Sequence, residues 1–61
     1  MIDALLTHCK DMIRKYPTLR TDIIEVYYLA LSEIDDGESV ANECELAYNA
    51  IQELIEDHTD D

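Results

Sequence analysis

Proline and glycine, the residues that most abruptly interrupt a helix, occur once each in this chain, at Pro17 and Gly37. They divide it into three stretches. Within each stretch the apolar side chains recur at the three- and four-residue steps that line one face of a helix. A chain patterned in this way hides its apolar surface most readily by packing amphipathic helices together. We therefore expect an all-α domain of three helices over about residues 2–16, 21–36 and 40–57, with a frayed tail over about 58–61.

The first stretch places Ile2, Leu5, Leu6, Cys9, Met12, Ile13 and Tyr16 within an arc of about 120°, opposite Asp3, Thr7, Lys10, Asp11 and Arg14. Pro17 lacks an amide proton and disfavours helical angles at Tyr16, so the first helix should stop there. Thr18 or Thr21 then offers a hydroxyl to cap the second helix. That helix carries Ile23, Ile24, Val26, Tyr27, Tyr28, Ala30, Leu31 and Ile34 over about 200°, wide enough to face two neighbours at once. Gly37 supplies the left-handed residue that closes it, and Ser39 is the natural N-cap of the third helix. So short a connection makes helices 2 and 3 an antiparallel hairpin. On helix 3, Val40, Ala41, Cys44, Ala47, Tyr48, Ile51, Leu54 and Ile55 form the apolar face.

A chain of 61 residues builds a thin core; about 60% of the unfolded surface is buried at this size. Disulfides, a metal, self-association or very regular helix packing usually supply the rest. Cys9 and Cys44 both fall on apolar stripes, where thiols act as small hydrophobes, so we expect reduced core cysteines. The broad arc of helix 2 and the thin core motivate self-association, and a two-fold homodimer is expected to complete the fold. Met12, Val26 and Tyr28 are the candidate contacts. Leu29 and Leu46 break the pattern differently: each projects away from its stripe, Leu29 among Asp22, Glu25 and Glu33, Leu46 among Glu43, Glu53 and Asp57. Such leucines are candidates for seating a partner helix.

The formal net charge is −11. All four basic residues, Lys10, Arg14, Lys15 and Arg20, lie in the first twenty positions with Asp3 and Asp11; the other thirteen of the fifteen acids follow without a Lys or Arg. Direct nucleic-acid binding needs a basic footprint and is not expected. A basic protein partner fits better, through charge complementarity, although acids also keep an apolar-rich chain soluble. The longest apolar run, Val26 to Leu31, is far short of the roughly 20 residues of a membrane span. With no charged leader at Met1-Ile2-Asp3, the expected location is cytoplasmic, in a bacterial-type cell or as a viral product inside a host.

The residues that could carry chemistry do not assemble into a known pattern. With Gly37 as the sixth position of a calcium loop, the first and third would be Ser32 and Ile34, and Ile34 has no oxygen to offer. Asp35, Asp36 and Glu38 therefore read as a solvated turn. His8, Cys9, Cys44 and His58 lack the close spacing of zinc ligands, and His8 and Cys9 diverge by about 100° on a helix. His8 is expected to flank the stripe with its polar tip in water, and His58 to fray with the tail. A nucleophilic cysteine needs a depressed pKa, which a core position opposes. We expect little room for a pocket above about 300 Å3. The reading is a non-enzyme without metal or cofactor: a small acidic helical interaction or accessory protein that self-associates and binds a basic protein. The alternative is an acidic decoy that mimics nucleic acid and occupies a DNA- or RNA-binding protein.

Overall fold

The computed structural model describes residues 2–59, and among them every regular element is helical. Helix α1 spans Ile2–Lys15, a 3-10 turn spans Pro17–Leu19, α2 spans Arg20–Asp35 and α3 spans Val40–Thr59. No helix among the described residues is long and apolar enough to cross a membrane. Residues 60 and 61 of the expected frayed tail lie outside the described part.

Helix α1 ends one residue earlier than expected. Tyr16 leaves helical angles (φ −130°, ψ 70°), as the residue before a proline is biased to do, although its amide still donates to the Met12 carbonyl at 2.8 Å. The expected threonine cap on α2 does not form. The N-cap is Leu19, with no side-chain bond, while Thr18 sits inside the 3-10 turn and Thr21 inside the helix. The reason lies in Pro17, whose fixed φ and missing donor suit the first position of a helical turn. The turn that it starts bonds through its backbone, Leu19 N–H to the Tyr16 carbonyl and Arg20 N–H to the Pro17 carbonyl, and runs straight into α2. The orphan amides need no hydroxyl. Leu19, given no role by the helical period, packs against the core from this turn.

Gly37 closes α2 with φ 106°. Its amide donates to the Ile34 carbonyl at 3.0 Å and the Glu38 amide to the Glu33 carbonyl at 3.1 Å, the paired bonds of a Schellman cap. Ser39 then caps α3: its Oγ accepts from the Asn42 amide at 3.4 Å and its carbonyl from the Glu43 amide at 2.9 Å.

The core is small. Leu5 and Cys9 of α1, Ile23 and Ala30 of α2, and Cys44, Ala47 and Ile51 of α3 are buried together, and Met12, Ile13, Val26, Tyr27, Tyr48, Leu54 and Ile55 pack around them. Each fully buried Leu or Ile stabilises the fold by about 1.5–3 kcal/mol before entropy is counted. Helix α2 touches both other helices, as its wide apolar arc requires, and its pairing with α3 is the more extensive. Ala30 and Ala47 permit close approach of the two backbones there. Both expected thiols are in this core, Cys9 at 3% and Cys44 at 1% exposure.

Helix α3 continues through His58, beyond the expected end at residue 57. Its ring meets Tyr16 edge-on beside the end of α1, with centroids 5.8 Å apart. A histidine there also suits the negative end of the helix dipole.

Candidate functional site

Two concavities lie between α2 and α3, with volumes of about 370 and 400 Å3. The first is lined by Asp22, Glu25, Val26 and Leu29 from α2 and by Ala50, Glu53, Leu54 and Asp57 from α3. The second takes Val26, Leu29, Ala30 and Glu33 from α2 and Glu43, Leu46, Ala47 and Ala50 from α3. They share Val26, Leu29 and Ala50 and form one groove, open to solvent along the hairpin. Asp22 faces the Asp57 end of α3 and Glu33 faces Glu43, the order that antiparallel helices produce.

Both volumes exceed the roughly 300 Å3 for which little room was expected, although each is an open trough and not an enclosed pocket. The reason is geometric. A helical hairpin has two long grooves, and one third helix can fill only one of them. On the wheel of α2, Leu29 stands about 160° from Tyr27, and on α3 Leu46 stands about 160° from Tyr48. Tyr27 packs on the core and Tyr48 meets His8 of α1, with centroids 4.8 Å apart. Helix α1 thus covers one face of the hairpin, and the groove lies on the other.

Of the five residues singled out from sequence, the structure brings three together. Val26, Leu29 and Leu46 line the groove. Leu29 is 64% and Leu46 55% exposed, so their side chains stand in water. The acids around each leucine, which the sequence shows only as two separate rings, merge into one rim of six carboxylates: Asp22, Glu25, Glu33, Glu43, Glu53 and Asp57. Met12 instead packs half-buried against the core. Tyr28, 64% exposed, lies about 100° around α2 from Leu29 and contacts Tyr27 at 5.8 Å between centroids. Sequence reasoning did not find the floor residues Ala30, Ala47 and Leu54, because each belongs to an apolar stripe and only the pairing of helices shows that it also borders a groove.

The lining holds carboxylates and aliphatic groups alone, without a Lys or Arg. Its chemistry is attraction of cations at the rim and of apolar groups at the floor. Elsewhere, burial pushes the Cys9 thiol above its ordinary pKa, which keeps it protonated and weakly nucleophilic. No group of three metal-ligating side chains is found among the described residues. His8 meets Tyr48 at the α1–α3 seam with the rings tilted by 59°, half-buried. No protein-family model, curated protein or solved structure is significantly similar to the chain.

Proposed function

We propose that this chain is a small acidic interaction protein that self-associates and binds a basic protein partner through the α2–α3 face. One observation carries the reading: six carboxylates surround an exposed apolar floor, and no basic residue of the chain lines it. Exposed leucines beside unpaired acids suit a partner that supplies both methyl groups and cations. The two buried thiols, free in this fold, agree with a reducing, cytoplasm-like compartment.

Self-association uses a different surface. Two copies meeting through the groove would set twelve carboxylates face to face, which costs free energy at neutral pH. Tyr28 offers a less charged contact. Its three- and four-residue neighbours on α2 are Ile24, Glu25, Leu31 and Ser32, with Ile24 and Leu31 half-buried. The nucleic-acid decoy is the weaker reading, because a phosphate mimic has no use for an apolar trough between its acids. On the outer face of α3, moreover, the acids Glu45 and Glu56 alternate with Asn49 and Gln52, and Glu56 accepts from the Gln52 amide at 3.4 Å.

Sedimentation velocity at micromolar concentration tests self-association: a dimer is expected from the parent chain and a monomer from Tyr28→Ser. A monomeric parent chain would refute it. For the partner, a photo-crosslinking residue at position 46, expressed in the native host, should capture protein segments rich in Lys and Arg. Capture confined to the DNA- or RNA-contacting surfaces of other proteins would favour the decoy instead.

A further inference from the structure

The groove's shape and its uneven charge specify more than a basic partner. Resting on the reading above, we infer that the occupant is one amphipathic helix of another protein, about three turns long, laid along the hairpin where a fourth helix would pack. Asp22 to Glu33 is eleven residue steps along α2, about 16 Å of rise, which three helical turns match. The opposite groove of the same hairpin already holds a helix, α1, so the two backbones are spaced to receive one. A helical ligand presents apolar anchors at i, i+3 or i+4, and i+7, the spacing that meets Val26, Leu29, Leu46 and Leu54 along the floor.

Charge chooses among occupants. A second copy of this chain has three of its four bases, Lys10, Arg14 and Lys15, on α1, whose Leu5 and Cys9 are spent in the core. The fourth, Arg20, opens α2, where the exposed Leu29 stands among Asp22, Glu25 and Glu33, so a copy's α2 would bring acids to the acidic rim. A foreign helix with Lys or Arg flanking its apolar stripe presents cations and free anchors together. The rim is also lopsided, with Asp22, Glu25, Glu53 and Asp57 around one end and Glu33 and Glu43 around the other. The occupant's bases should gather toward the four-acid end.

Selection of a random 16-residue peptide library against the full-length protein tests the inference, with the Leu29→Ser/Leu46→Ser double variant as counter-target. Both leucines are largely exposed, so the variant should fold as the parent does, which circular dichroism checks. Enriched peptides are expected to become helical on binding, to carry helically spaced apolar residues with Lys or Arg, and to lose at least tenfold affinity for the variant. Glu25→Gln/Glu53→Gln should weaken them more than Glu33→Gln/Glu43→Gln. Basic peptides without apolar period that bind parent and variant equally would overturn the helical occupant while leaving a basic partner standing. Enrichment of apolar peptides without Lys or Arg would overturn both, as would no enrichment over a blank support. If the parent chain sediments as a dimer that Leu29→Ser/Leu46→Ser dissociates, a second copy fills the groove and the foreign helix is wrong.

Discussion

Ile51 and Leu46 sit five positions apart on α3, and their exposures of 0% and 55% assign them opposite tasks. Truncating a buried Ile removes its transfer energy and leaves a cavity, so Ile51→Ala should cost about 2–5 kcal/mol in urea melts. Leu46→Ala should stay within about 0.5 kcal/mol, because the side chain already stands in water. Equal losses would mean that Leu46 holds the fold and not a partner. The Cys9 thiol makes a pH prediction. An unfolded thiol ionises near 8.5 or about that value, whereas burial raises the folded one. Below the unfolded pKa both states keep the proton. As pH rises from there through the folded pKa, the unfolded chain releases a proton that the folded chain retains, and stability is lost. Urea melts between about pH 7.5 and 9.5 should show this decline, and Cys9→Ala should flatten it.

At the scale of elements, the connection between α2 and α3 depends on one backbone conformation. A Cβ at Gly37 would meet nothing within 4 Å, so substitution there is a matter of φ alone. Gly37→Ala should therefore destabilise by about 1 kcal/mol, from left-handed strain without a clash. Ser39→Ala should cost less, toward the lower end of about 0.5–2 kcal/mol, since its capping bond is long at 3.4 Å. Both effects are read from urea denaturation, and a silent Gly37→Ala would show that the hairpin tolerates another turn. This junction was legible from residue types, because glycine and serine act through local geometry. The junction at Pro17 was legible only in part. Proline announced the end of α1, but the backbone-bonded turn that it starts in place of a hydroxyl cap shows only in the folded chain, where Leu19 packs against the core.

For the whole molecule, charge is the dominant long-range term. Thirteen acids follow position 20 and no Lys or Arg joins them, and six of those acids crowd one groove. Like charges repel in the compact state, and salt shortens that repulsion to about 8–10 Å at physiological strength. The melting temperature at neutral pH should therefore rise between low and moderate sodium chloride. A fall would mean that attraction between the basic face of α1 and acids elsewhere dominates, and the acidic rim would then belong to the fold. Salt should act oppositely on partner binding, weakening association as it strengthens the protein.

Helical periodicity, the two interruptions at Pro17 and Gly37, the burial of Cys9 and Cys44 and the separation of charge were determined by the sequence alone. Each could be read from which residue types stand where along the chain. That Leu29 and Leu46 share one groove, that Tyr28 does not, that His8 meets Tyr48 and that His58 meets Tyr16 were decided only in the tertiary structure. The rotation of one helix about its axis relative to another is set by how their side chains interdigitate. That is a property of the pair, and neither helix carries it in its own pattern.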